Sequence, residues 1–376
     1  MSEWSNVNLA SLLSFGNGKS RPLDSGNIPV YGGNGIMSYV SHFNYDHETI
    51  IIGRVGAYCG ATYYENKPIW ISDNALSAKA VGEHNTKYLY YLLKNLDLNQ
   101  FAEGSSHPLL TQKLLNSIET KTALNPNEQK SIASVLSSLD DKIDLLHRQN
   151  KTLKSMSETL FRQYFIEEAQ ENWEDCNITD LFEVKDGTHA SPKQSVSGYP
   201  LVTSKHIGSG IIDFNNTYLI SEEDYSSINK RSKVEKFDIL FSMIGTIGST
   251  HIELSDEINY AIKNVGLLKT SQNHNWKFYT YLWLLSSEGK DFIHATKSGS
   301  TQEYISLGSL RSIVFNKPDN NTLKKFNNIV EIHFDKINNN NKQIITLEKL
   351  RNTLLPKLMS GEVRVEYAEK AIASVA

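Results

Sequence analysis

The stretch LDDKIDLLHRQNKTL at 139–153 returns at 333–347 as HFDKINNNNKQIITL. An offset of 194 places Asp141, Lys142, Ile143, Gln149, Thr152 and Leu153 on Asp335, Lys336, Ile337, Gln343, Thr346 and Leu347. An internal repeat limits the fold more than any single motif, because both copies must bury the same face. The match continues upstream in order. EGSSHPLL at 103 meets SGSTQEYI at 298, YLYYLLK at 88 meets FYTYLWL at 278, and EWSNVNLASLL at 3 meets NWEDCNITDLF at 172. IIIGRVGAYCG at 50 meets ILFSMIGTIGS at 239, and by their glycines Gly53-Arg54 and Gly56 are matched to the Ile244-Gly245 and Gly248 region. The offset falls to 169 at the start of the chain, so the second copy carries insertions, which surface loops tolerate. The chain reads as two copies of one unit, a globular domain followed by a long helix.

The first helix opens at NPNEQK, with Asn125 as N-cap, Pro126 at N1 and Glu128 at N3, the spacing of a capping box. Ile132, Leu139, Leu146, Leu153 and Leu160 then recur every seven residues, and Leu136 and Ile143 begin a second row that Asn150 continues. This is a coiled-coil seam with a polar position suited to fixing register. The second helix keeps Ile337, Leu347 and Leu354 but puts His333 and Asn340 in the seam, which makes its middle more polar. Pro356 is expected to kink or end it, and Ser360-Gly361 to stop it. Two long helices of one chain pair most simply antiparallel. The expected fold is α+β: two mixed α/β globular domains separated by two long antiparallel coiled-coil helices, an internal pseudo-twofold repeat. The expected limits are 1–123 and 169–318 for the globular domains, 124–168 and 319–362 for the helices, and 363–376 for a tail.

Composition excludes several classes. An apolar content of 39% with 21% charged residues is that of an ordinary globular protein. Cys59 and Cys176 cannot form a disulfide framework. The opening MSEWSNVNLASLL lacks a basic segment followed by an apolar core, and no apolar run approaches the ~20 residues of a bilayer span, so a cytoplasmic protein is expected. FGNGKS at 15–20 is no P-loop, because Leu13 stands where the first glycine is required. It also lacks the βαβ setting of a methyltransferase cofactor loop, and the chain has no Asn- or Asp-Pro-Pro-aromatic segment. His42, Asp46 and His47 fit no metal-ligand spacing. No nucleophile, base and acid recur in both copies, so no catalytic residue and no metal are assigned.

What does recur is glycine plus hydroxyl plus a donor. Gly104-Ser105-Ser106-His107 matches Gly299-Ser300-Thr301-Gln302. Glycines let backbone N–H groups approach an anionic backbone, and hydroxyls add phosphate contacts. Arg54, Lys205, His206, Lys230, Arg231 and Lys297 are donors in such loops that can reach phosphates or base edges.

On NEQKSIASVLSSLDDKIDLL, LFRQYF, FEVKDGTHASPK, YPLVTSKHIGSGIID and LLPKLMSGEVRV, in that order, the chain resembles the specificity subunits of Type I restriction-modification systems. The resemblance covers essentially the full length. It implies two target-recognition domains, each reading one half of a bipartite site in double-stranded DNA. The helices would set the spacer and dock two modification subunits. Those subunits would bind S-adenosylmethionine and methylate adenine, and a motor and nuclease subunit is a further partner. The chain itself would need no cofactor. The DNA-contact candidates are Gly33, Asn34, Arg54, Tyr58, Ser105, Ser106 and His107 in the first copy. In the second they are Lys185, Lys205, His206, Arg231, Thr246, Lys297, Ser300, Thr301 and Gln302. A net charge of −4 is low for a protein that grips phosphates alone, so partners are expected to supply basic surface. The rival reading is a structural pseudo-dimeric scaffold or ligand-binding coiled coil.

Overall fold

The computed structural model describes residues 4–104, 107–208, 211–299 and 302–374. They form two compact units. One is 1–145 with 343–376, and the other is 146–342. Each unit is larger than the globular domain expected from sequence, because it takes in a part of both long helices.

The first globular module contains β1 (Trp4–Asn8), β2 (Leu13–Asn17), β3 (Ile28–Gly32), β4 (Gly35–Val40), β5 (Thr49–Gly53), β6 (Thr62–Glu65), β7 (Trp70–Ile71), β8 (Ala75–Ala80) and β9 (Glu119–Ala123), with α1 (Thr86–Leu96) and α2 (Gln112–Ser117). The strands pair as β2-β8-β5-β6, β4-β3-β7 and β1-β9. All neighbours are antiparallel except β3 and β7. The run Ile50-Ile51-Ile52 is fully buried in central β5, the apolar run expected of a strand covered on both faces.

After β9 the chain enters α3 (Pro126–Arg162). Asn125 caps it, its Oδ1 accepting from the N–H of Asn127 at 2.9 Å. Glu128 does not close the capping box. It accepts from Trp4 Nε1 at 3.2 Å instead, tying the helix to β1. Buried Gln129 bonds the Ala123 carbonyl at 2.7 Å and the Asn85 N–H at 2.9 Å, which joins the helix to both β9 and α1.

The second module repeats the first strand for strand: β10 (Glu174–Asn177), β11 (Val184–Asp186), β12 (Tyr199–Thr203), β13 (Tyr218–Ile220), β14 (Ile239–Ser242), β15 (Thr250–Ile252), β16 (Ala261–Lys263), β17 (Val265–Leu268) and β18 (Val314–Lys317). The sheets are β11-β17-β14-β15, β13-β12-β16 and β10-β18, the first module's order with matching directions. The two largest insertions behind the drifting offset lie around β13. One is the long β12–β13 connection. The other is α4 (Glu222–Ser232), which follows β13 and has no counterpart after β4. α5 (Lys277–Leu285) corresponds to α1, and α6 (Ser287–Thr296) and α7 (Leu307–Arg311) follow it.

α8 (Asn320–Ser360) is capped by Asp319, at the position equivalent to Asn125, with Oδ1 2.9 Å from the Asn321 N–H. It runs through Pro356, which lies on the exposed face, and ends only where Gly361 takes φ +76°. The expected tail is in fact α9 (Val365–Ala373), with Ala368 fully buried.

The helices run antiparallel in each unit. In the first unit Arg351 Nη1 meets Asp140 Oδ1 at 2.9 Å. In the second, Asn150 Nδ2 donates to Asn341 Oδ1 at 2.8 Å, Asn340 Nδ2 to Asn150 Oδ1 at 2.8 Å, and Ser157 Oγ lies 2.9 Å from His333 Nδ1. Ile132, Leu139, Ile143, Leu146, Leu347 and Leu354 are buried as seam residues should be, while Leu153, Leu160 and Ile337 are half-buried. There Ser157 and Phe161 fill the buried positions. The polar middle of α8 is therefore not a loose stretch. Asn340 is 0% exposed and pairs with Asn150, so a register slip would leave buried amides unpaired.

Replacing one partner of this layer exposes its cost. Asn340→Leu should lower the free energy of unfolding by about 1–3 kcal/mol, and Asn150→Leu with Asn340→Leu should recover most of the loss. Denaturant midpoints of the three proteins check this. Equal midpoints for wild type and the single variant would show that the layer carries no register energy.

Candidate nucleic-acid interface

In both modules two glycine loops are stitched together by backbone hydrogen bonds. In the first, Gly53 accepts from the Gly60 N–H at 2.8 Å. Glu103 and Leu109 exchange bonds of 3.0 and 2.9 Å, and the Leu110 N–H reaches the Arg54 carbonyl at 2.9 Å. In the second, Ser242 accepts from the Gly248 N–H at 3.1 Å, Ser298 and Tyr304 exchange two 2.9 Å bonds, and the Ile305 N–H reaches the Met243 carbonyl at 2.9 Å. The left-handed glycines coincide: Gly56 and Gly245 at φ +75° and +76°, Gly60 and Gly248 at +90° and +88°, and Gly104 and Gly299 at +90° and +96°. The pairing of Gly53-Arg54 with the Ile244-Gly245 region is corrected by these bonds. Gly53 corresponds to Ser242 and Arg54 to buried Met243, and the one residue the second loop lacks falls between Gly245 and Gly248.

The scaffold is held by backbone, so its tips are free to differ. In the first module the two-residue Gly33–Asn34 turn joins β3 to β4 and sits against Gly53, where an added Cβ would come within 2.8 Å of the Gly33 carbonyl oxygen. Gly33, Asn34, Arg54, Tyr58 and His107 thus belong to one loop assembly. Tyr58 is 52% exposed, and neither it nor His107 has a polar partner among the described residues. The Arg54 guanidinium is half-buried with its Nε unpartnered among the described residues, a cation with donors unspent. In the second module Gln302 takes the place of His107, exposed and without a described polar partner. Lys297 is paired with Glu303 at 3.0 Å. Ser105, Ser106, Ser300 and Thr301 lie outside the described residues.

The long β12–β13 connection replaces the Gly33–Asn34 turn. Lys205 is exposed there, with no described hydrogen bond or ion pair. His206 is different. It is 2% exposed, and its Nδ1 accepts from the Thr203 N–H at 3.0 Å, so it is a buried cap and not an exposed donor. Burial, with the Lys205 charge beside it, pushes its pKa below the usual imidazole value. The connection is tied to the glycine loop, since Thr246 Oγ1 donates to the Ser204 carbonyl at 3.1 Å. Lys185 is paired with Glu183 at 2.9 Å, and Arg231 with Asp186. Exposed pairs such as Lys185–Glu183 and Lys297–Glu303 cost little to open.

Asp186, His189 and Asn264 were not among the sequence candidates, yet they link these elements. Ser204 Oγ donates to the Asn264 carbonyl at 3.0 Å, and Asn264 Oδ1 lies 2.8 Å from His189 Nδ1. His189 Nε2 lies 2.9 Å from Asp186 Oδ2. Their sequence signal was faint: Asp-Gly-Thr-His at 186–189, with a glycine where a Cβ would fall 2.4 Å from the Ile262 carbonyl oxygen. Among the described residues no group of three His, Cys, Asp or Glu is placed to hold a metal ion, and no helix is long and apolar enough to cross a membrane.

A duplicated α/β reading module on paired helices defines a class of protein, and comparison with known proteins identifies it. The chain belongs to the Type I restriction modification DNA specificity domain family, whose model matches residues 1–155 and 170–349. It is 28% identical over 310 residues to the Type I restriction enzyme MjaIX specificity subunit of Methanocaldococcus jannaschii, covering 75% of this chain and 70% of that one. The MjaVIII specificity subunit of the same organism is 25% identical over 310 residues, covering 74% and 70%. The Type I restriction-modification S subunit of M. genitalium has the same fold, with a TM-score of 0.63 at 19% identity over 95% of this chain and 96% of that one. The protein is a Type I restriction-modification specificity subunit, and its task is recognition of a DNA target.

Gly299 tests the loop assembly. A Cβ there would sit 2.4 Å from the Gln302 carbonyl oxygen, and φ +96° disfavours any L side chain by about 1–2 kcal/mol. Gly299→Ala should relax base preference in one half of the target and spare the other, read by mapping methylated adenines. An unaltered motif at full methylation rate would remove this loop from recognition.

Proposed function

We propose that each globular module reads one half of a bipartite site in double-stranded DNA. α3 and α8 set the spacer between the halves and dock two modification subunits. The observation that carries this reading is the shared backbone of the paired glycine loops beneath divergent tips, His107 in one and Gln302 in the other. One scaffold with two sets of side chains suits two different base sequences. Arg, Gln and His donors can address base edges in the major groove, while the N–H groups and hydroxyls of the loops engage phosphates and fix register.

The chain acts without catalysis of its own. Methylation belongs to the modification subunits, which bind S-adenosylmethionine, and a motor and nuclease subunit completes a restriction complex. This division also suits the net charge of −4, since partners closing on the duplex supply the positive surface. The protein works in the cytoplasm, where its DNA is.

The spacer role has a length test. Arg162 is a poor insertion point, because Phe165 just beyond it packs 4.8 Å from both Phe326 and Tyr279. Seven residues inserted after Leu145 and seven after Lys342 keep the helix faces in phase and lengthen both helices by about 10 Å. At about 3.4 Å per base pair the spacer should grow by about three, with both half-sites unchanged. Mapping methylated adenines in cells expressing the variant with its modification subunits reads the result. An active variant with the original spacer would refute the ruler.

A further inference from the structure

The hydrogen-bonded chain from the glycine loop of the second module does not end at His189. It continues to Asp186, whose two carboxylate oxygens hold different partners, Oδ2 facing His189 and Oδ1 accepting from Arg231. The Asp186 side chain is 6% exposed, whereas that of Arg231 is 61% exposed. A buried carboxylate therefore anchors one nitrogen of an exposed guanidinium. His189 is fixed as well, since its other nitrogen meets Asn264 Oδ1. Asn264 itself has φ +52°, a backbone conformation that few residues adopt. Such an arrangement costs free energy in an isolated protein, and it pre-organises the donors that point away from the buried acid.

Those donors face a cleft of about 520 Å³ between the segment after β11 and the inserted helix α4. Thr188, Ser191, Lys193, Ser227 and Arg231 line it. Lys263 Nζ, donating to Ser191 Oγ at 2.6 Å, adds a second ammonium beside the wall. Asp224 also lines the cleft, but its carboxylate accepts from Ser221 Oγ at 2.9 Å at the start of α4. Three hydroxyls with two fixed or tethered cations suit a tetrahedral anion better than the flat edge of a base. Arg231 spends one Nη2 hydrogen on Asp186 and keeps its other donors for the cleft. The first module has neither α4 nor the acid: β2 carries the neutral Asn17 at the place of Asp186.

We infer that the cleft between α4 and the β11–β12 connection is a backbone-phosphate clamp, present in the second module only, with Arg231 as the contacting group and Asp186 and His189 as positioning residues. The inference rests on the DNA-reading role proposed above. The clamp is continuous with the reading loops through Asn264, Ser204 and Thr246, so a phosphate held there would set the register of those loops on the duplex. It also makes the two halves of the protein unequal in grip.

The test uses the chain in complex with its modification subunits, a random-sequence duplex and a salt series. Arg231→Ala should weaken binding roughly tenfold and reduce the slope of log affinity against log salt by about 1. Arg231→Lys should keep the slope and still bind more weakly, because an ammonium cannot match the geometry that Asp186 fixes. Asp186→Asn gives opposite signs for the two explanations. Loss of a negative charge near DNA should tighten binding, whereas loss of positioning should weaken it, and weakening is expected. Thermal melts show whether Asp186→Asn folds; if it does not, the exposed Arg231 variants decide alone. Tighter binding by Asp186→Asn, or an unchanged salt slope in Arg231→Ala, would overturn the clamp. So would a methylation motif in Arg231→Ala relaxed at one base position, which would make Arg231 a base reader. ATP titrated in place of the duplex should show no Arg231-dependent binding, and tighter Arg231-dependent binding of ATP would transfer the site to a free nucleotide. Failure of the wild-type complex to bind any duplex would instead defeat the DNA-reading role itself.

Discussion

Asn340 has no exposed surface, and its amide nitrogen is satisfied by Asn150 on the facing helix. That contact fixes how α3 and α8 pair in the second unit. Leucine and isoleucine seams alone would tolerate a shift by one heptad, since apolar contacts are non-directional. The Asn150–Asn340–Asn341 layer and the Ser157–His333 contact agree on a single register, and a shift would break both. In the first unit the Asp140–Arg351 pair, itself bonded by Tyr91 OH at 2.7 Å, does the same. The modules then build on the helices. Phe326 and Phe334 of α8 enter the aromatic core of the second module, and Gln129 of α3 ties β9 and α1 of the first.

On this base the protein separates scaffold from reader. The glycine loops are held by backbone N–H and carbonyl groups and by left-handed glycines, none of which depends on the side chains at the tips. Tip residues can therefore change without loss of fold. That is the condition for reading a sequence: donors must be exchangeable while the frame that presents them stays rigid. The second module departs further, with a long β12–β13 connection and α4 where the first has a two-residue turn and a short loop.

Much of this was legible in the residues. The heptads and the 194-residue offset marked two long helices and the duplication, because periodic burial is written locally. The Asn125 cap was legible for the same reason. Less could be seen where partners come from distant segments. KINNNNKQ read as a weak middle of the seam, because Asn150, 190 residues away, is what pairs with Asn340. Asp186 and His189 sit three residues apart, but the partner that orders them, Asn264, lies in the β16–β17 turn. His206 looked like a phosphate donor because exposure cannot be read from a loop sequence, and α9 was missed because its stability comes from burying Ala368 and not from a long periodic run. The Gly53 and Gly56 pairing slipped because their three-residue spacing recurs at Gly245 and Gly248, which lie one turn further along the loop.

The central claim, that each module reads its own half of the target, is tested most directly by exchange. Residues 1–123 are replaced by the corresponding module of a relative with a different target, the chain is expressed with its modification subunits, and methylated adenines are mapped across the host genome. The account predicts a hybrid motif in which one half-site changes, while the other half and the spacer remain. Change in both halves, or in neither, would contradict it.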